Sequence, residues 1–323
     1  MIGESWYLFT KSMTNPANEK LVNYLVVLDK PGRYFTIEDD ARWGGLLQPA
    51  PSENPVKTSK GVRIVLFGSW EFGYLVLETL KEYERRFPEK LNLVGLVTDD
   101  PLNPDAKISL KKRVWNFIDL PFRVFDETFI IESGLSHGIP VYTGEIKTES
   151  FYRLLEQWNP DAILVCVFGQ IINLRIINIP PYGIYNFHPS DLSRNQGAGP
   201  APYEDLVTRK AETTVWSVHH VTEEIDGGHV IGQSPPVNVL NTKGVLPDDP
   251  LVVYQKLGEA LTPLTFFLAE ELSRRSEMNK PGFIDRIDFN NLIPDEVKHR
   301  IMQPVINETP SEMLPLPDKS FFT

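Results

Sequence analysis

The stretch Asp161-Ala-Ile-Leu-Val-Cys-Val-Phe, closed by Gly169-Gln170, most constrains what this chain can fold into. A strand with one face in water alternates apolar and polar residues. An unbroken apolar run suits a strand buried on both faces, which parallel sheets covered by helices provide. The flanking sequence fits that environment. Val62-Arg-Ile-Val-Leu-Phe ends in Gly68-Ser69, and Glu71 to Tyr83 follows with Phe72, Leu75, Leu77 and Leu80 at helical spacing. Leu93-Val-Gly-Leu-Val-Thr then closes a first βαβ crossover. Helices are expected over 129–137 and 150–158, with strands at Pro140-Val-Tyr and at 183–188. The class this predicts is α/β, a doubly wound and mostly parallel sheet.

The remaining segments divide the chain into three. Residues 1–60 read as a small extension, in which Tyr24 to Asp29 and Tyr34 to Ile37 form a hairpin through Lys30-Pro31-Gly32-Arg33. Leu47 to Lys60 reads as a Pro-rich linker. The main domain is expected over 61–275. It includes an exposed loop from Asp99 to Lys112, a helix at Tyr203 to Lys210 and a strand at Thr213 to Val221. Shorter strands at Val230 to Ser234 and Val237 to Leu240 precede a long helix, Pro250 to Arg275, with Asp248 or Asp249 able to cap it. Residues 276–323 read as a tail with one helix, Asp295 to Met302.

Bulk properties narrow the functional classes. A formal charge of −11 over 323 residues works against a surface built to neutralise nucleic-acid phosphates. Cys166 is the only cysteine, which excludes an intramolecular disulfide and a thiolate metal cluster. No apolar run approaches the ~20 residues that span a bilayer, and no basic-then-apolar leader opens the sequence. The cytoplasm is the expected location.

Chemistry concentrates at Gly183-Ile-Tyr-Asn-Phe-His-Pro-Ser. As a strand, its period of two puts Ile184, Asn186 and His188 on one face and Tyr185 and Phe187 on the other. Pro189 favours extended backbone at His188 and ends the strand there, at the edge where open α/β sheets bind ligands. Downstream, Asp226 precedes Gly227-Gly228 in a turn. An imidazole, a carboxamide and a carboxylate together suit chemistry at a carbonyl. No serine or cysteine sits in a nucleophile-elbow pattern, so the nucleophile belongs to the substrate. His219, His220 and His229 read as strand and loop structure rather than a metal set. Gly68-Ser69 lacks dinucleotide and Walker spacings, yet its backbone N–H groups can face an anionic part of a ligand.

These residues resemble a family. Asn186-Phe-His-Pro-Ser, then Gly197-Ala-Gly-Pro-Ala-Pro, then His220-Val-Thr-Glu-Glu-Ile-Asp-Gly-Gly-His-Val-Ile is similar to the signature of the folate-dependent formyltransferases. That family includes methionyl-tRNA, glycinamide ribonucleotide and sugar N-formyltransferases. Upstream, Val62 to Leu80 resembles its first βα unit and Val165-Cys-Val-Phe-Gly-Gln-Ile its folate-side strand, so the likeness covers residues 62–240. The resemblance implies a Rossmann-like fold, 10-formyltetrahydrofolate as co-substrate and no metal. It implies a catalytic triad of Asn186, His188 and Asp226. The pterin would lie near Phe168, Gly169, Gln170 and Ile171 and the loop Glu223, Glu224, Ile225, and the acceptor near Ser69, Trp70 and Gly197. Asn186 and protonated His188 would steady the oxyanion, while Asp226 orients His188 and helps remove the amine proton.

Departures from the family pattern fall on the acceptor side. Ser190-Asp191-Leu192-Ser193 stands where many members have Ser-Leu-Leu-Pro, and Gly68-Ser69-Trp70-Glu71 carries an unusual tryptophan. A tRNA-modifying member is expected to add a basic domain after the long helix, whereas Arg286-Ile-Asp-Phe-Asn resembles the closing segment of sugar N-formyltransferases. With the acidic charge, the expected acceptor is a small amine, most readily a nucleotide-linked amino sugar, and tRNA stays open. A homodimer is an open assembly. Two rival readings are a 10-formyltetrahydrofolate hydrolase and a non-catalytic binding protein on the same fold.

Overall fold

The computed structural model describes residues 32–39, 42–49, 60–98, 130–192, 201–248 and 250–289. The strand expected at Tyr24 to Asp29, the loop Asp99 to Lys112 and the helix Asp295 to Met302 lie outside these residues. The strands are β1 (Gly32–Asp39), β2 (Arg42–Pro49), β3 (Val62–Gly68), β4 (Leu91–Thr98), β5 (Val141–Gly144), β6 (Ala162–Cys166), β7 (Ile184–His188), β8 (Thr213–Thr214), β9 (Ser217–His220), β10 (Val230–Gln233) and β11 (Val237–Asn238). Nine of them form one sheet in the order β1-β2-β5-β4-β3-β6-β7-β9-β10, while β8 and β11 pair separately.

The run β5-β4-β3-β6-β7 is parallel throughout, and antiparallel pairs extend it at both ends. The chain begins the parallel set at β3, adds β4 and β5 on one side, then crosses to β6 and β7 on the other. The winding therefore reverses between β3 and β6. At such a switch the carboxyl ends of the strands open a crevice for ligands. Two apolar cores follow from the two faces. Helices Trp70–Arg86 and Pro250–Glu277 and the helical stretch 130–136 contribute to one, with Leu66, Cys166, Tyr185 and Phe187 from the sheet. Helix Glu149–Trp158 and short helix Leu174–Ile177 contribute to the other, with Phe67, Val165 and Ile184. Among the described residues, no helix is long and apolar enough to cross a membrane.

Three segments differ from the sequence reading, each for a packing reason. β1 pairs with β2, which follows it, and Leu47 lies in β2 rather than in a linker. Leu46 and Leu47 are both buried, one in each core, because β2 joins β5 along Gly44–Leu47 and is covered on both faces there. The strand expected over Thr213 to Val221 breaks into β8 and β9 around Trp216. That indole is fully buried, donates from Nε1 to the Leu257 carbonyl at 2.8 Å and meets the Phe72 ring edge-on at 5.0 Å. The segment after the long helix is built into the core. Ile284 N–H donates to the Tyr185 hydroxyl, Ile287 N–H to the Ile231 carbonyl, and Ile284, Ile287 and Phe289 are buried.

Helix Trp70–Arg86 starts hard against the end of β3. A Cβ on Gly73 would lie 2.8 Å from the Gly68 carbonyl carbon, and backbone cannot move aside as a side chain can. Gly73→Ala is expected to lower stability by about 1–3 kcal/mol, the usual cost of forced overpacking. A urea titration checks this, and an unchanged midpoint would show that the helix start has room to shift.

Candidate active site

The site is set by how β7 meets β9. Ile184 joins one core while Tyr185 and Phe187 join the other, so Asn186 and His188 share the Ile184 face as the period of two predicts. β9 runs antiparallel beside β7 with Asn186 opposite His219 and His188 opposite Ser217. Directly opposed residues of an antiparallel pair point to the same side with Cβ atoms about 4.5–5.5 Å apart. The Asn186 Nδ2 accordingly lies 2.9 Å from His219 Nε2. Ser217 ties down the chain leaving His188: its hydroxyl donates to the Ser190 carbonyl at 2.7 Å and accepts from Leu192 N–H and Gln233 Nε2.

Asp226 reaches this pair from the loop between β9 and β10. Its backbone is left-handed, with φ of 53°, a region that aspartate enters more readily than most residues. Gly228 then passes so close to β9 that a Cβ would lie 1.8 Å from the His220 carbonyl oxygen. Only glycine lets the loop fold back this tightly. The result sets Asp226 Oδ1 3.7 Å from His188 Nδ1 and 3.6 Å from His219 Nε2. Asn186, His188 and Asp226 are thus brought together, around an imidazole that the sequence reading had assigned to strand structure.

Burial governs the charge state. His188 is only 5% exposed, and loss of water pushes its pKa below the ordinary histidine range, with Asp226 pulling the other way and His219 adding to the fall. The fall favours a neutral His188 ring in the free protein near pH 7. Its Nε2 is buried and has no hydrogen-bond partner among the described residues. Burial likewise lowers the pKa values of His219 and His220. His220 faces the opposite core and its Nε2 meets the Ile284 carbonyl at 2.9 Å, while His229 does the same with Asp285. Among the described residues, no group of three His, Cys, Asp or Glu is placed to hold a metal ion.

The other expected site residues fall on two loops and a helix start. Phe168, Gly169, Gln170 and Ile171 follow β6, where Val167 carries a φ of 51°, and Phe168 packs on Phe67. Gln170 clasps the exit of β5, donating to the Gly144 carbonyl and accepting from Ile146 N–H, so it offers a ligand its backbone. Glu223, Glu224 and Ile225 are exposed ahead of Asp226. Ser69 is fully buried and its hydroxyl meets that of Thr98 at 3.1 Å. Trp70 opens the helix, and Gly197 lies outside the described residues.

The carboxyl ends of the strands thus carry a carboxamide, an imidazole of lowered pKa and a carboxylate, a set of groups suited to chemistry at a carbonyl. Residues 125–247 match the formyl transferase family model. It is 32% identical over 190 residues to a methionyl-tRNA formyltransferase of Dictyoglomus turgidum, covering 58% of this chain and 51% of that one. A methionyl-tRNA formyltransferase of Bacillus subtilis is 30% identical over 204 residues, 62% of this chain and 57% of its own. This chain therefore spans little more than half the length of those relatives. A solved phosphoribosylglycinamide formyltransferase of Bacillus halodurans superposes with a TM-score of 0.49 at 18% identity, over 66% of this chain and 96% of that one.

Three buried neutral imidazoles link stability to pH. Because their folded pKa values lie below the unfolded value near 6.5, the unfolded chain binds more protons under that pH. Stability should be fully present above about pH 6.5 and fall as pH drops, by up to about 1.4 kcal/mol per pH unit for each histidine. Urea midpoints between pH 7.5 and 5 check the direction. A flat profile would mean that these rings are not buried neutral.

Proposed function

We propose that this protein transfers a formyl group from 10-formyltetrahydrofolate to a primary amine. The single observation that carries this is the buried Nε2 of His188, unpartnered among the described residues, beside the Asn186 carboxamide. A buried polar atom without a partner is costly unless a ligand meets it, and a carbonyl donor with an amine supplies that partner. The donor brings an activated formyl carbon. Each residue then has a task. Asn186 Nδ2 keeps a second N–H for the oxygen on which charge collects. With Nδ1–H toward Asp226, His188 presents a lone pair at Nε2 and takes the proton that the amine sheds on bonding the formyl carbon; Asp226 steadies the imidazolium, which returns the proton to N10 of the donor as the C–N10 bond breaks and tetrahydrofolate leaves. The backbone of Phe168 to Ile171 and of Glu223 to Ile225 would hold the pterin, with Ile171 and Ile225, 54% and 60% exposed, as uncovered apolar surface for a flat ring.

The acceptor we favour is a small amine, a nucleotide-linked amino sugar, bound on the side of Ser69, Trp70 and Gly197. The net charge of −11 supports this over a tRNA. Methionyl-tRNA is the second reading, because the relatives from Dictyoglomus turgidum and Bacillus subtilis are methionyl-tRNA formyltransferases. An assay with 10-formyltetrahydrofolate and three acceptors, a nucleotide-linked amino sugar, glycinamide ribonucleotide and methionyl-tRNA, separates them by mass of the formylated product. Formate release at one rate with and without amine would instead make the protein a hydrolase.

Asn186→Ala is expected to lower kcat about 100-fold or more, the usual cost of an oxyanion donor, with the donor KM little changed. Wild-type turnover in that variant would remove this role for Asn186 and move the site elsewhere on the chain. Asp226→Asn, which keeps the left-handed backbone but loses the charge, should lower kcat with a folded protein by circular dichroism.

A further inference from the structure

We propose that His219 is the positioning residue that fixes which way the Asn186 carboxamide faces, and that it does so only while its ring is neutral. This rests on the reading that the free N–H of Asn186 meets the formyl oxygen.

The orientation follows from hydrogen-bond roles. His219 Nδ1 lies 2.8 Å from the His220 carbonyl oxygen, which can only accept, so Nδ1 carries the single ring proton. Nε2 is left with a lone pair. At 2.9 Å from it stands Asn186 Nδ2, which donates one of its two hydrogens. The reversed amide would set Oδ1 against that lone pair, two acceptors at contact distance. His219 is only 2% exposed, so water does not readily substitute. The ring thus locks the NH2 group on its own side and leaves the second N–H at a fixed angle.

Protonation undoes the lock. Nε2–H would then face Nδ2–H, donor against donor. Rotating the amide by half a turn restores a bond, Nε2–H to Oδ1, but carries the NH2 group away from where it was held. The site exchanges an N–H donor for a differently aimed amide. The groups around the ring set when this happens. Asp226 Oδ1, 3.6 Å from Nε2, favours the proton, as does the His220 carbonyl. Burial opposes it most strongly, and His220 opposes it too, with the His188 ring 6.4 Å away. The balance keeps His219 neutral at pH 7.

Two arms test this. The first needs no substrate: the full chain is labelled with 15N at histidine and asparagine and titrated by NMR. The Asn186 side-chain NH2 signal is identified by its loss in Asn186→Asp. At pH 7.5 the His219 proton should sit on Nδ1, and the Asn186 signal should shift in step with the titration of His219. A proton on Nε2 at pH 7.5, or an Asn186 signal indifferent to that titration, overturns the proposal. The second arm is kinetic. His219→Gln supplies an acceptor that does not titrate, so kcat at pH 7.5 should stay within about threefold of wild type while the acid limb of the kcat profile becomes shallower. His219→Leu removes the acceptor and should lower kcat about tenfold or more with the KM for 10-formyltetrahydrofolate unchanged. Wild-type kcat and acid limb in His219→Leu would overturn the assignment. If that variant fails to fold, an unchanged acid limb in His219→Gln overturns it instead. Absence of any formyl transfer by the wild type would defeat the functional reading alone, because the NMR arm decides the amide orientation without it.

Discussion

The register between β7 and β9 is the constraint on which the rest of the site depends. Asn186 can reach His219 because the two are directly opposed, and His188 is anchored because Ser217, its own opposite, grips the chain that leaves it. Packing on the other face holds that register: Phe187 opposes Val218, and Tyr185 opposes His220 and accepts from Ile284 N–H. A slip of one residue would turn every side chain of β9 to the wrong face. His219 would then enter the core and His220 the site. The parallel-to-antiparallel change at this point in the sheet therefore determines which imidazole meets the carboxamide.

Electrostatics and backbone geometry answer to that placement. Burial keeps the two site imidazoles neutral, and the carboxylate that favours their charge arrives on a loop with a left-handed residue and two glycines. A charged imidazole in this setting would lack water to solvate it. A neutral one beside Asp226 can gain a proton briefly and return it, which suits a group that must carry a proton between two nitrogens.

Much of the fold was legible because it is local. β3, β4, β6 and β7 and the helices at 70–86 and 149–158 announce themselves through apolar periodicity within a few residues. The shared face of Asn186 and His188 was legible for the same reason. Pairing across distance was not. β1 prefers the strand that follows it, and the end of β2 runs into a Pro-rich stretch that hides it until β5 is known to lie beside it. His219 carried no sequence signal of its own, since only the antiparallel register between β7 and β9 sets it opposite Asn186. Asp226 was suggested by family resemblance, and its approach to two rings rather than one depends on the tight return at Gly228.

The β1–β2 hairpin has a consequence of another kind. β5 is four residues long and closes one side of the parallel set, with β2 bonded along Gly44–Leu47. Stripped of that neighbour, it would present a bare row of N–H and C=O groups backed by buried apolar residues, a template on which other chains can dock. Any fragment trimmed to start at β3 would carry this adhesive margin. The hairpin thus covers the β5 margin and carries the end of the sheet out to β1, away from the parallel strands that hold the site.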